Sequence, residues 1–406
     1  MTASGASPTR SASAASGASA APATAGSSAK PKGERPALVL RGLRKLFGAA
    51  AAVDGVDLVV RRGEFVTLLG PSGSGKTTTL RMVAGFTAPT SGSIEIDGSD
   101  MTRIPPHRRD VGMVFQNYAL FPHMTAAQNI AFPLQMRRKS RKEIDKRVAE
   151  SLALVKLVKF GDRYPRQLSG GQQQRIALAR AVVFGPRLLL MDEPLGALDR
   201  KLREALQLEI IHVSREIGAT VLYVTHDQEE ALVMSDRIAI FNAGQIDQLG
   251  SGEDLYDRPA SLFVADFIGE SNILRGKYEP DGAGGGWMTR GPWRWRVGKA
   301  SAERAALDAG APVALVVRPE RIRIVGTNDV VPAGANAVEA AITDVLYLGS
   351  DRKYGLTLPD GQRAVVRQQR DGAGGREWPS GERVQLTWSV DDGVLVADPT
   401  GDVQPA

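Results

Sequence analysis

The fold is decided by residues 70–77, which read Gly70-Pro71-Ser72-Gly73-Ser74-Gly75-Lys76-Thr77. The apolar run Phe65–Leu69 precedes them and predicts a buried strand, and Thr78–Ala84 follows them and predicts a helix. Glycines let successive backbone N–H groups converge on phosphate oxygens at the N-terminus of such a helix. A glycine-rich turn could match by chance, but the flanking strand and helix favour a phosphate-binding loop (P-loop).

The loop predicts how a nucleotide is held. We expect Lys76 to reach the β- and γ-phosphates and the Thr77 hydroxyl to ligate Mg²⁺. Thr78, in the first turn of the predicted helix, is expected to bind the nucleotide together with the loop residues.

Two acids follow another buried strand. Leu188–Met191 delivers Asp192 and Glu193 to its carboxyl end, where Asp192 fits a magnesium role and Glu193 fits the general base for an attacking water. The alternative is a solvated acidic turn. It is disfavoured because four apolar residues bury the approach and Pro194 ends the strand.

Length and composition set limits. The chain has 406 residues, enough for two domains and a tail, and no apolar run approaches the ~20 residues of a membrane span. We therefore expect a soluble, folded protein whose membrane role, if any, is peripheral. The net charge is +6, of which residues 1–35 carry +3 (four Lys or Arg against one Glu), and this weak excess argues against nucleic-acid binding. The absence of cysteine excludes disulfides, thiolate metal sites and cysteine nucleophiles.

The chain divides into three segments of different texture. Residues 1–36 are rich in Ala and Ser and predict a disordered tail. The tail is expected to be a solvated extension or the product of a start codon assigned too early. The alternative is an organellar transit peptide. Residues 37–270 alternate apolar strands with helical patterns, which predicts a mostly parallel sheet flanked by helices. The predicted strands are Leu38–Leu40, Phe65–Leu69, Val111–Phe115, Leu188–Met191, Thr220–Val224 and Arg237–Phe241.

A helical insertion at about 117–168 interrupts this pattern. Thr125 and Gln128 form a predicted capping box. Ile144, Val148, Leu152 and Val155 share one face of a further helix.

Residues 271–400 predict a separate small β domain with short strands between Gly, Pro and Asp turns. Gly282–Gly286 and Gly372–Gly375 predict enlarged loops. The predicted strands are Val313–Val317, Val338–Leu348, Arg352–Leu358, Arg363–Arg367 and Arg383–Trp388.

One further motif separates this chain from other P-loop enzymes. Leu168-Ser169-Gly170-Gly171-Gln172 stands before the helical run Ile176–Val183 and resembles the LSGGQ signature of ABC ATPases. By itself the motif could be a capping box, Ser169 with Gln172, that needs no ligand. The other motifs of the family match in order over about residues 38–250. Phe47 resembles the aromatic A-loop residue and Gln116 resembles the Q-loop glutamine. Ala197-Leu198-Asp199 resembles the D-loop, and His226 resembles the switch histidine.

The resemblance implies an α/β P-loop NTPase fold, a RecA-like core with a helical subdomain, that works as a head-to-tail homodimer. Ser169 and Gly171 of one subunit, with Gly170, Gln172 and Asp199, would cover the γ-phosphate held by Lys76 of the other. His226 would contact that phosphate and hold Glu193, although a structural histidine is the alternative. Gln116 would contact Mg²⁺ and the γ-phosphate. Phe47 would stack on adenine, a contact that does not decide whether the protein prefers ATP or GTP.

Three stretches resemble importers whose ATPase carries an extra C-terminal TOBE domain, all-β and OB-like: Gln116–His123, Tyr223–Gln228 and Arg318–Glu320. This implies two integral-membrane permease subunits, an extracytoplasmic solute-binding protein and a position on the cytoplasmic face of the inner membrane. The TOBE domain would be either a dimer-stabilising appendage or a regulatory sensor. Non-transport ABC ATPases are the alternative class, but they usually carry paired cassettes, coiled-coil insertions or zinc cysteines.

The solute is indicated by kinship alone. Phe267–Leu274 and Val345–Ser350 look most like the spermidine/putrescine branch, so we expect polyamine import. Iron(III), 2-aminoethylphosphonate and sugar remain alternatives.

Overall fold

The computed structural model describes residues 35–196, 199–369 and 376–400. Three predicted features lie wholly or partly outside these residues: most of the tail, Ala197 and Leu198 of the D-loop motif, and the loop Gly372–Gly375. The strands of the first part of the chain are β1 (Leu38–Phe47), β2 (Ala50–Val60), β3 (Phe65–Leu69), β4 (Ser91–Ile96), β5 (Ser99–Asp100), β6 (Val111–Val114), β7 (Leu188–Asp192), β8 (Val221–Thr225), β9 (Arg237–Asn242) and β10 (Gln245–Gly250). The helices there are α1 (Lys76–Ala84), α2 (Ala126–Met136), α3 (Arg141–Leu154), α4 (Gly170–Val182), α5 (Arg200–Glu216), α6 (Gln228–Met234), α7 (Gly252–Asp257) and α8 (Leu262–Phe267).

A six-stranded sheet, in the order β10-β9-β3-β8-β7-β6, forms the centre of this part. Its strands pair in parallel except for β10, which lies antiparallel on β9. Every residue of β3, β7 and β8 is buried, because both faces of the sheet are covered. One face shares a core with α1 and the strands β1, β2 and β4, and the other with α4, α5 and α6. The prediction of a mostly parallel sheet is confirmed, and it brings the carboxyl ends of β3, β6, β7 and β8 to one edge.

The first predicted strand does not lie in the parallel sheet that was expected to contain it. Leu38–Leu40 opens β1, which pairs antiparallel with β2 and β4 in a separate sheet of order β2-β1-β4-β5. The expectation that it joins the parallel sheet was therefore wrong. The apolar run records burial alone, whereas the short connection from β1 to β2 permits only antiparallel pairing.

The segment predicted as a helical insertion opens with a loop. Residues 117–125 form no helix, because the buried amide of Asn129 holds that loop by donating to the carbonyls of Phe121, Met124 and Thr125. Helix α2 begins after Thr125, whose hydroxyl forms the predicted capping box with Gln128. The apolar face of α3 is buried against α2 and α4, as its spacing predicts.

The C-terminal β region, residues 272–397, consists of two antiparallel sheets around one core. Their orders are β13-β12-β11-β14-β20 and β15-β19-β16-β17-β18. The all-β prediction is confirmed, and Trp295 and Trp388 meet in the shared core with ring centroids 6.3 Å apart. The elements are β11 (Asn272–Pro280), β12 (Gly286–Arg290), β13 (Trp293–Val297), α9 (Lys299–Ala305), β14 (Pro312–Val317), β15 (Arg323–Gly326), β16 (Ala335–Tyr347), β17 (Asp351–Thr357), β18 (Arg363–Gln369), β19 (Arg383–Ser389) and β20 (Gly393–Ala397).

Candidate active site

The loop between β3 and α1 takes the conformation that its glycines permit. Gly75 precedes α1 with φ of 103°, in the left-handed region that glycine tolerates best. A Cβ atom at Gly75 would lie 2.4 Å from the carbonyl oxygen of Ala52, and one at Gly70 would lie 2.3 Å from that of Phe241. The loop therefore packs so closely on β2 and β9 that side chains at these positions are excluded.

Lys76 lies within this loop. It is only 4% exposed, and its ammonium group donates to the carbonyls of Gly70 and Pro71, both at 2.8 Å. Burial lowers the pKa of Lys76, and the nearby carboxylates of Glu193 and Asp192 act in the opposite direction. Among the described residues no carboxylate lies within 4.0 Å of this ammonium, so its buried charge favours an incoming anion.

Thr77 and Asp192 meet across the site. The Thr77 hydroxyl donates to Oδ1 of Asp192 at 3.2 Å, which joins the first turn of α1 to the end of β7. Burial raises the pKa of Asp192, and the hydrogen bond from Thr77 lowers it. A hydroxyl and a carboxylate are the hard oxygen donors that Mg²⁺ prefers. No cluster of three or more His, Cys, Asp or Glu side chains suited to a metal occurs in the described chain.

Glu193 and His226 form a second pair at the same edge. Nδ1 of His226 lies 3.2 Å from Oε2 of Glu193, which joins the residue after β7 to the residue after β8. The backbone of Glu193 has φ of 44°, and its N–H donates to the carbonyl of Val224 at 3.0 Å. Left-handed backbone at a non-glycine residue costs about 1–3 kcal/mol and is concentrated at functional sites.

Gln116 follows β6 by two residues, at the carboxyl edge that also carries Asp192, and its side chain is exposed. Phe47 ends β1, and its ring is 58% exposed with the Lys45 ammonium 5.1 Å from the centroid. Both positions leave the side chain accessible to a ligand.

The signature motif lies elsewhere in the chain. Ser169 caps α4: its hydroxyl accepts from the N–H of Gln172 at 3.4 Å, and its own N–H donates to Oε1 of Gln172 at 2.9 Å. The capping-box interpretation is therefore confirmed as local structure. Gly170 and Gly171 form the first turn, and α4 packs on α2, α3 and β6, whereas α1 packs on β7 and β8.

Asp199 caps α5 by accepting from the N–H of Leu202 at 3.0 Å. The structure thus brings the P-loop, Asp192, Glu193 and His226 together. Ser169 and Asp199 instead cap the N-termini of α4 and α5.

Two neighbours of His226 were missed by the sequence analysis. Asp227 caps α6 and pairs with Arg203 at 2.9 Å, and Gln228 binds the backbone of Phe267 and Gly269. An Asp before a helical run is a recognisable cap signal. No sequence signal could locate the partners of Gln228, which lie 39 and 41 positions further along the chain.

Comparison with known proteins agrees with this geometry. Residues 53–196 match the ABC transporter family, and residues 315–396 match the TOBE domain family. The spermidine/putrescine import ATP-binding protein PotA of Rubrobacter xylanophilus is 47% identical over 362 residues, covering 89% of this chain and 94% of that protein. Those of Acidothermus cellulolyticus and Pseudomonas aeruginosa are each 46% identical, over 90% and 89% of this chain and 96% and 99% of their own lengths. The chain therefore belongs to the family of ABC transporter ATP-binding proteins.

Proposed function

We propose that this protein is the ATP-hydrolysing subunit of an importer that carries polyamines. The observation that supports hydrolysis most strongly is the meeting, at one sheet edge, of the buried Lys76, the Thr77–Asp192 pair and the Glu193–His226 pair. The polyamine assignment is supported by relatives that are named as spermidine/putrescine import proteins and align over nearly their whole length.

Each residue at the edge has a role in this proposal. Phe47 stacks on the adenine ring, and the backbone N–H groups of the P-loop and Lys76 hold the phosphates. Thr77 and Asp192 would hold Mg²⁺, with Gln116 as a third contact. Bound there, Mg²⁺ would neutralise charge on the phosphates. Glu193 takes the proton of the attacking water, and His226, whose Nδ1 lies 3.2 Å from its carboxylate, fixes the direction in which that carboxylate points.

The second copy of the chain supplies the rest of the site. In the proposed head-to-tail dimer, the N-terminus of α4 approaches the γ-phosphate held by the other subunit, and Ser169 and Gly171 donate hydrogen bonds to it. Asp199 lies beside the same interface. What supports this arrangement is that Ser169 and Asp199 each cap the N-terminus of a helix, α4 and α5, where backbone N–H groups favour an anion.

The importer supplies the remaining partners. No helix in the described residues is long and apolar enough to cross a membrane. In the proposed importer, two permease subunits carry the solute across it. An extracytoplasmic binding protein delivers the solute, and the subunit described here lies on the cytoplasmic face of the inner membrane. Gln116 connects the phosphates with the segment of α2 to α4, so nucleotide state is transmitted to the permeases through that segment.

The solute is tested on the solute-binding protein of the importer. A polyamine site should combine carboxylates with aromatic faces, which hold ammonium groups. Titration calorimetry should show heat on addition of spermidine or putrescine. Binding of iron(III), 2-aminoethylphosphonate or a sugar instead, with no heat from either polyamine, would remove the polyamine assignment and leave the ATPase proposal intact.

A further inference from the structure

The turn Phe267–Ser271 joins α8 to β11 and is held on one side by Gln228, in the first turn of α6. The side-chain nitrogen of Gln228 donates to the carbonyl of Phe267, and its Oε1 accepts from the N–H of Gly269 at 2.9 Å. Gln228 lies two residues after His226. The turn is therefore tied to the segment that carries the histidine.

The C-terminal β region holds the same turn on its other side. Arg318 follows β14, is 5% exposed, and donates to the carbonyls of Ala265 at 3.0 Å and Ile268 at 2.7 Å and to the Ser271 hydroxyl at 2.5 Å. Lys353 of β17 pairs with Glu270 at 2.6 Å. Charge-assisted hydrogen bonds from the buried Arg318 are costly to break, so the turn follows the C-terminal β region, whereas the partly exposed Lys353–Glu270 pair adds less.

Packing joins the turn to α6 as well. Ile268 is fully buried in a cluster that includes Ala231 of α6 and Leu69, the last residue before the P-loop. The start of α6 is fixed in turn by Asp227, whose carboxylate accepts from the N–H groups of Glu229 at 2.9 Å and Glu230 at 3.2 Å. A displacement of the turn therefore reaches the first turn of α6, which directly follows His226.

We infer that Gln228 is a positioning residue for His226, and that the turn Phe267–Ser271 carries displacements of the C-terminal β region to this histidine. The inference rests on the proposed role of His226 in hydrolysis. Gln228 hydrogen-bonds the backbone of Phe267 and Gly269, and so fixes the segment from which His226 reaches Glu193. Misplacement of a reacting group by about 1 Å costs up to about a hundredfold in rate, so loss of Gln228 should act on kcat rather than on binding.

Gln248 offers a matched control, because it makes the same kind of clamp away from the site. Its side-chain nitrogen donates to the carbonyl of Arg258 at 3.1 Å, and its Oε1 accepts from the N–H of Ala260 at 2.7 Å. Gln228→Ala should lower kcat for ATP about tenfold or more, with KM changed less than about twofold. Gln248→Ala should leave both constants within about twofold of the parent, although it removes equivalent hydrogen bonds.

A spectroscopic readout separates positioning from general destabilisation. With ¹³C-labelled histidine, the ring resonance of His226, assigned with a His226→Ala variant, should shift in Gln228→Ala and not in Gln248→Ala. Lys353→Met, which cuts one link from the C-terminal β region, should shift the same resonance by less, and should have no further effect when Gln228 is already Ala. If Gln228→Ala aggregates, Gln228→Glu keeps the acceptor for Gly269 and should give an intermediate loss of kcat.

Turnover and ring resonance that are the same in Gln228→Ala as in Gln248→Ala would overturn the positioning role. A His226 resonance unmoved by Lys353→Met would overturn the transmission from the C-terminal β region. The proposed function fails separately, if the parent shows no ATPase activity or if His226→Ala hydrolyses ATP at the parental rate.

Discussion

Phe47 is the residue through which the base of the nucleotide is proposed to be held, and its ring lies 58% exposed at the end of β1. Stacking is worth about 0.5–1.5 kcal/mol, so Phe47→Ala should raise the KM for ATP about two- to tenfold with little change in kcat, and Phe47→Tyr should restore the parental value. Phe86, 57% exposed just after α1, is the matched control. If Phe86→Ala raises KM as much as Phe47→Ala does, Phe47 has no special role.

The positions of some site residues could be predicted from the sequence, although their roles stay predictions. Gly75 and Asp192 could be placed because the position of each depends on its immediate neighbours along the chain: a strand before, and for Gly75 a helix after. Gln228 and Arg203 could not, because their roles depend on contacts across the fold. The role of Ser169 stays a prediction, since within one chain its hydroxyl only caps α4.

At the scale of the elements, two helices begin with the same device. Ser169 with Gln172 caps α4, and Thr125 with Gln128 caps α2. Replacing either hydroxyl residue by Ala should cost about 1 kcal/mol of stability. Only Ser169→Ala should also lose ATP turnover, because only that cap is proposed to meet nucleotide on a second subunit. Thermal unfolding with ATPase assays checks both, and equal activity in the two variants would reduce the signature motif to a helix cap.

The strands illustrate where sequence patterns stop being informative. Phe65–Leu69 and Leu188–Met191 were placed correctly because fully buried runs are typical of parallel sheets. Leu38–Leu40 has the same texture but belongs to an antiparallel sheet, since an apolar run reports burial and not the direction of its partner. The shape of the loop before α2 could not be predicted from the sequence, because it depends on a single buried side chain, Asn129, that hydrogen-bonds its backbone.

At the scale of the whole molecule, the tail is the first question. Residues 1–34 lie outside the described structure, and the Arg35 carbonyl accepts from Arg62 at 3.3 Å. A truncation that spares the folded part should therefore end before Arg35. We expect removal of residues 1–34 to leave kcat and KM for ATP within about twofold of the parent. A large loss of activity would show that the tail is not a passive extension.

Tryptophan fluorescence reports on the other end of the chain. All five tryptophans follow Ser271: Trp287, Trp293, Trp295, Trp378 and Trp388. If the turn Phe267–Ser271 couples the two parts of the chain, binding of Mg-ATP near Lys76 should change tryptophan emission. The change should shrink in Gln228→Ala. Emission that stays constant while nucleotide binds would mean that the C-terminal β region does not sense the site.

The division of the chain near residue 270 remains a prediction at this scale. The two sheets of the C-terminal β region share a core of their own, yet Arg318 and Lys353 also bind the turn before it. The sequence pattern predicted the separate β core, because a β-rich composition is a local property of the chain. It could not predict the contacts with the turn, which depend on the buried guanidinium of Arg318, whose partners are about 50 residues away.

The most direct test of the central claim, that this edge of the sheet hydrolyses ATP between two subunits, is Glu193→Gln studied by gel filtration with Mg-ATP. The amide keeps the shape of the site and removes the base, so kcat should fall by about 10²–10⁴ while an ATP-dependent dimer accumulates. Glu216→Gln is the control, because Glu216 also contacts a histidine, His212 at 3.4 Å, but on the exposed surface of α5; it should hydrolyse ATP like the parent. A Glu193→Gln protein that stays monomeric with ATP bound, or that hydrolyses at the parental rate, would contradict the account.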